Sequence, residues 1–294
     1  MKKSADHFQR IGLIGNADKA ACAASVRAAA RLIRRTGRHL FCDAATARLA
    51  RLKVATFADA AMLARETDLL LVFGGDGTML RTARQIAGCS TPMLGVNIGG
   101  LGFLTAVPSD QLAEALKLLW RGEFKFESRA LIEASGTGHG LPIHQTALND
   151  VVISRGAVSR LISLDVSVDG EPITRYRCDG LIVSSPTGST AYALAAGGPV
   201  VFPTAGVLVL TPICPHTLSN RALILPLSAN IEVKVITPQP TTILSADGQV
   251  MSELEAGDVI EIRRGRRAER LLRLAGGSFC ETLRRKLHWR GTTL

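Results

Sequence analysis

The feature that most restricts how this chain can fold is a change of hydrophobic period near Gly122. Before that point, short apolar runs alternate with segments of helical spacing. The run at 11–16 reads as a buried strand, and the alanine-rich segment 20–35 has the three- and four-residue intervals of an amphipathic helix. A strand at 39–43, a helix ending near Glu66, a strand at 68–73, a helix over 78–87 stopped by Gly88, and a strand at 92–97 follow. A helix over 109–120, with Ser109 as N-cap and Gly122 as C-terminal stop, completes the series. Strands alternating with helices predict a doubly wound, mostly parallel sheet. After Gly122 the period becomes two, with strand candidates at 130–136, 146–154, 163–173, 180–186, 206–212, 230–236 and 258–264. The Asp-Gly pair at 169–170 marks a hairpin turn, so this part predicts a mainly antiparallel all-β domain.

The expected organisation is an α/β domain over 1–123 and a β-rich domain over 124–274, with a cleft between them. Residues 275–294 should form a helical segment that packs back on the first domain. At 294 residues the chain is long enough for two cores. No apolar run approaches the roughly 18 residues of a membrane span, and the N-terminus lacks the apolar stretch of a secretory signal. The six cysteines are scattered without a CxxC pair, which argues against a zinc site or disulfide framework and suits a reducing cytoplasm. Of the net charge of +10, residues 263–294 carry +8. Its most basic part, 263–274, lacks interleaved aromatic residues, so it reads as a solvated face, with no nucleic-acid or membrane partner expected.

Five segments carry candidate chemistry. The strongest is Gly-Gly-Asp-Gly-Thr at 74–78, after an apolar strand and before a helix. Glycines at such a strand end let backbone amides approach a phosphate, and the helix N-terminus favours it electrostatically. This is neither a P-loop nor GxGxxG. A carboxylate at Asp76 would repel phosphate unless it has a task, such as taking a proton from an attacking hydroxyl or holding magnesium. The glycine-rich stretch 95–104, one strand on, could line the same crevice. Asn149-Asp150 could bind ribose hydroxyls or an adenine amine, or be an ordinary turn. The segment 179–200 includes Ser184, Ser185, Thr187, Ser189 and Thr190, whose hydroxyls could coordinate a polar ligand or belong to an ordinary solvated loop, then Tyr192, which could stack a base. It has no GxSxG and no obvious histidine partner for Ser189, which lowers a serine-hydrolase reading. Asp247-Gly248-Gln249 reads first as a hairpin turn.

In this order, together with Pro-His-Thr-Leu-Ser at 215–219, these segments resemble the NAD kinase family over nearly the whole chain. GGDGT alone is shared with diacylglycerol and sphingosine kinases and loosely with 6-phosphofructokinases, and the resemblance implies an N-terminal domain of that kind. It implies transfer of the γ-phosphoryl group of ATP, or of polyphosphate in some members, to the adenosine 2′-hydroxyl of NAD. Asp76 would be the base beside Gly77, and Gly74, Gly75, Gly77, Thr78 and Arg81 would face phosphate. Asn149, Asp150, Arg160, Arg177, Asp179, Thr190, Ala191, Tyr192, Ala195 and Gln249 would contact NAD, Asp179 toward the nicotinamide end with Arg177 close by. Many relatives have Ser at Ala195 and Asn-Glu where this chain has Asn149-Asp150. The resemblance also implies Mg²⁺ arriving with ATP, no tightly bound organic cofactor, no metal site built from protein ligands, and a homodimer or homotetramer. The alternatives are a GGDGT kinase acting on a lipid hydroxyl, which would need an extended apolar cavity, and a non-catalytic dinucleotide sensor or RNA-associated protein.

Overall fold

A computed structural model of the protein describes residues 8–17, 20–100, 102–157, 160–217, 219–238, 242–274 and 278–289. The N-terminal residues 1–7, Leu218 of the Pro-His-Thr-Leu-Ser segment and the end of the chain from 290 lie outside these. The chain divides into two compact units, Met1–Ser128 with Glu269–Leu294, and Arg129–Ala268.

In the first unit the order is β1 (Arg10–Gly15), α1 (Ala20–Arg34), β2 (His39–Asp43), α2 (Ala44–Ala50), β3 (Ala55–Phe57), α3 (Ala60–Arg65), β4 (Leu69–Gly74), α4 (Asp76–Gln85), β5 (Met93–Asn97), β6 (Val107–Pro108) and α5 (Leu112–Trp120). The spatial order β3-β2-β1-β4-β5 is parallel throughout, as the alternation predicts. Every residue of β4 and β5 is buried, so these strands read as continuous apolar runs, typical of a sheet covered on both faces. α1 presents Cys22, Val26, Ala29, Ala30 and Ile33 to a core shared with Ile11, Leu13, Leu71 and Phe73. Gly88 at φ 96° and Gly122 at φ 75° follow α4 and α5, where the sequence placed the stops. The strand order reverses between β1 and β4. The carboxyl ends of those two strands are therefore the switch point at which open α/β sheets bind ligands.

Two local expectations are corrected. The stretch before Glu66 holds two helices separated by β3. Asp43 Oδ1 accepts from Thr46 N at 2.6 Å and Asp59 Oδ1 from Met62 N at 2.7 Å, so each helix has its own N-cap. Ser109 opens a short 3₁₀ turn, without a side-chain cap, ahead of α5.

In the second unit β7 (Phe124–Gly138), which begins in the first, forms a hairpin with β8 (Leu141–Ala147). It is followed by β9 (Asp150–Arg155), β10 (Ile162–Val168), β11 (Glu171–Cys178), β12 (Gly180–Ser184), the short helix α6 (Tyr192–Ala195), β13 (Val207–Ile213), β14 (Leu223–Pro226), β15 (Ile231–Val235), β16 (Thr242–Ala246), β17 (Val250–Leu254) and β18 (Val259–Leu274), which returns to the first unit. One antiparallel set runs β11-β10-β15-β18, and a six-stranded antiparallel sheet runs β14-β13-β12-β9-β16-β17. Alternate residues of both sets, among them Leu164, Val166, Val233 and Ile260 from the first and Val151, Ile153, Leu181, Val183 and Leu210 from the second, share one core. The opposite face of β9 and β12 packs Val152 and Ile182 against Ala193 of α6. The expected strand over 146–154 is two strands, interrupted at Leu148 and Asn149.

α7 (Phe279–Lys286) ends the described chain, with Ser278 Oγ accepting from Glu281 N at 3.0 Å. Its Phe279 ring lies 6.1 Å from that of Phe103 in the first unit.

Candidate active site

The GGDGT turn lies at the switch point. β4 ends at Gly74, Gly75 is the extended N-cap, and Asp76 opens α4, whose residues Thr78 and Met79 donate their N–H groups to Gly75 O. The glycines differ in role. The Cβ position of Gly74 is filled by the Thr78 side chain, whereas those of Gly75 and Gly77 face open space. A ligand can therefore approach the backbone at Gly75 and Gly77, while Gly74 serves packing. Arg81 is half-buried on the same helix and makes no hydrogen bond or ion pair among the described residues.

The Asp76 carboxylate is held by backbone. Oδ2 accepts from Phe103 N at 2.8 Å, and Oδ1 accepts from Leu104 N at 3.0 Å and Thr105 N at 3.4 Å. A carboxylate has about four acceptor positions, so one remains on Oδ2. The amide-bearing loop is braced in turn. Arg273 donates from Nη2 to Phe103 O at 2.7 Å and pairs through Nε with Glu127 at 3.2 Å. Asn97, at the end of β5, spends its side-chain amide on the same loop, donating to Gly100 O and accepting from Gly99 N, both at 2.8 Å. The glycine-rich signal at 95–104 pointed to this loop. Nothing local in the sequence indicated that its amides bind Asp76.

The second unit carries a separate cluster where β8 gives way to β9. Asp247 and Gly248 occupy a turn with φ of 50° and 65°, the mirror-image geometry of a tight hairpin. The Asp247 carboxylate accepts from the N–H groups of Leu148 at 3.0 Å, Asn149 at 2.7 Å and Asp150 at 3.3 Å. Asp247-Gly248 is thus a hairpin turn that also fixes the Asn149-Asp150 backbone. Asn149 and Asp150 themselves make no side-chain hydrogen bond among the described residues, although Asp150 is only 5% exposed. Burial, and then the Asp247 charge, push the Asp150 carboxyl up to about 7.

The hydroxyl run makes internal hydrogen bonds. Ser185 Oγ donates to Leu148 O at 2.6 Å and accepts from Thr187 N and Gly188 N. Ser184, Ser189 and Thr190 donate to backbone carbonyls, and Arg129 donates to Thr187 Oγ1 at 3.3 Å. These bonds seat the 185–190 turn against Asn149, so closely that a Cβ on Gly188 would fall 2.2 Å from Asn149 O. Beyond the turn, Ala191 is partly buried and Ala195 exposed, while the Tyr192 ring is 48% exposed and free to stack. Asp179, between β11 and β12, pairs with Arg155 Nε at 2.9 Å, a partner that no motif in the sequence indicates. Arg177 is exposed on β11, with its carbonyl accepting from His216 N. Arg160 is exposed in the loop before β10, and Gln249 is exposed after the hairpin turn.

Burial raises the thiols of Cys42 and Cys178 to about 12, which excludes both as nucleophiles at neutral pH. Among the described residues no cluster of three or more His, Cys, Asp or Glu is arranged to hold a metal ion, and no helix is long and apolar enough to cross a membrane.

The family profile of the ATP-NAD kinase N-terminal domain matches residues 11–124, and that of the ATP-NAD kinase C-terminal domain matches residues 148–274. An NAD kinase of Syntrophotalea carbinolica is 47% identical over 223 residues, covering 76% of this chain and 78% of that protein. One from Cupriavidus pinatubonensis is 40% identical over 283 residues, covering 96% and 92%. Yeast NADH kinase, solved with NADH, superposes with a TM-score of 0.89 at 25% identity, over 98% of this chain and 89% of that one. An NAD kinase from Archaeoglobus fulgidus, solved with ATP, gives 0.75 at 25% identity, over 96% of this chain and all of that one. With both profiles matched in order across its two units, this chain belongs to the NAD kinase family.

Proposed function

We propose that this chain transfers the γ-phosphoryl group of ATP to the adenosine 2′-hydroxyl of NAD, making NADP, with Asp76 as the base. The observation that carries the reading is the Asp76 carboxylate, fixed by three amides at the sheet's switch point with one acceptor position open. A ribose hydroxyl is a poor nucleophile until its proton leaves. As the hydroxyl oxygen bonds to the γ-phosphorus, its proton passes to Asp76 Oδ2, the bond from phosphorus to the β,γ-bridging oxygen breaks, and ADP departs. General-base assistance of this kind contributes about 10²–10⁴-fold. Gly75 and Gly77, open above their backbones, and the uncommitted Arg81 suit phosphate.

On the NAD side, the unpartnered Asn149 amide and Asp150 carboxyl supply polar groups for the adenosine ribose. Thr190, Ala191, Tyr192 and Ala195 form an adenine-facing surface, and Gln249 closes it. Asp179 contacts the nicotinamide portion, with Arg155 holding its carboxylate and Arg160 and Arg177 as further polar contacts. Mg²⁺ would arrive as a companion of ATP, held mainly by phosphate oxygens and water, and would neutralise charge on the transferring group. A homodimer or homotetramer working in the cytoplasm belongs to the same reading. Incubating the purified protein with NAD, ATP and Mg²⁺ should give NADP and ADP in equal amounts; ATP consumed without NADP would refute the reading.

A further inference from the structure

The hold on Asp76 depends on the missing side chain at Gly102. A Cβ at that position would lie 2.1 Å from Asp76 Oδ1, 2.8 Å from Asp76 Cγ and 2.6 Å from Thr105 Oγ1. The three nearest atoms belong to the carboxylate and to one neighbouring hydroxyl. The carboxylate has no easy retreat. Three amides of the same loop hold the carboxylate, and the Thr105 hydroxyl is buried without a hydrogen-bond partner among the described residues. Adding one methyl group must therefore move Asp76 or lift the loop off it.

We propose that Gly102 is a positioning residue for the phosphoryl transfer, its bare Cα letting the 103–105 amides close on Asp76 and aim the open position of Oδ2. The catalytic consequence rests on the reading of Asp76 as base, whereas the contact itself does not. A displacement of about 1 Å in a reacting group lowers turnover about 100-fold. Gly102 touches neither substrate in this account, so the loss falls on kcat and not on KM.

The test is a double-mutant cycle between Gly102→Ala and Asp76→Ala, read by kinetics and by thermal unfolding. In the otherwise unchanged protein, Gly102→Ala is expected to lower kcat about 100-fold, with KM for NAD and for ATP nearly unaltered, and to lower Tm by about 2–4 °C or more. In the Asp76→Ala background the new methyl group occupies space the carboxylate has left and only the Thr105 hydroxyl must turn aside, so the Tm loss should be clearly smaller and the residual rate should stay unchanged. A Gly102→Ala protein that folds only in that background supports the proposal equally. Equal Tm losses in both backgrounds, or normal kcat in Gly102→Ala alone, would overturn it. If Asp76→Ala retained normal turnover, the base assignment would fall, and the Tm cycle would still decide whether the glycine serves the carboxylate.

Discussion

Asp150 is a buried acid beside a second acid, and its titration should be visible in the stability of the ligand-free protein. Burial first, and the Asp247 charge second, raise its carboxyl from 3.8 to about 7. The sign follows from proton linkage. Below about pH 4 the group is neutral whether the chain is folded or not, and the shift has no effect. Between about pH 4 and 7 the unfolded chain releases a proton that the folded chain keeps, so stability falls as pH rises. Above about pH 7 both states are ionised and the full penalty applies. A shift of about three pH units at about 1.4 kcal/mol each gives a penalty of roughly 4 kcal/mol, of which about 2–3 kcal/mol develops between pH 5 and 8. Asp150→Asn keeps the shape and removes the titration. Urea unfolding of both proteins without nucleotide at pH 5, 6, 7 and 8 should show the variant gaining on the parent by about 2–3 kcal/mol across that range. Parallel pH profiles would refute the account of Asp150 as a buried acid beside Asp247.

Three further substitutions test other parts of the structure. Asp247→Ala removes the acceptor for three backbone amides and should destabilise the protein by about 2 kcal/mol or more, raise KM for NAD, and move the Asp150 titration to lower pH. Glu269, 2% exposed, is pushed up to about 8 by burial, so Glu269→Gln should stabilise the protein progressively between about pH 5 and 8 and leave acid stability unchanged; a pH-independent difference would contradict this. Arg155→Ala frees Asp179 from a part-exposed pair, so stability should change by no more than about 1 kcal/mol while NAD affinity, measured by calorimetry, weakens.

The parts of this molecule that were legible in sequence are those governed by short-range pattern. β4 and β5 are buried on both faces, and their unbroken apolar runs say so. α1 displays its alanine and valine face at helical intervals, and Gly88 and Gly122 turn positive where a stop was expected. The division before Glu66 depends on the two capping aspartates, Asp43 and Asp59, which helical periodicity alone does not register. The break at Leu148 and Asn149 has no local cause, since the carboxylate that fixes it comes from Asp247, about 100 residues later. The hold on Asp76 is of the same kind: the glycines of 95–104 signalled a close approach, but only the folded chain shows that the loop approaches this carboxylate. Likewise, the hydroxyls after β12 look like ligand groups as a string, and in the fold they tie down a turn.

The most direct test is to replace the Asp76 oxygen that receives the proton while keeping its shape. Asp76→Asn should bind NAD with nearly unchanged affinity by calorimetry, yet form NADP at least about 100-fold more slowly than the parent at saturating NAD and ATP. A variant that binds NAD and turns over at the parental rate would show that the 2′-hydroxyl loses its proton elsewhere.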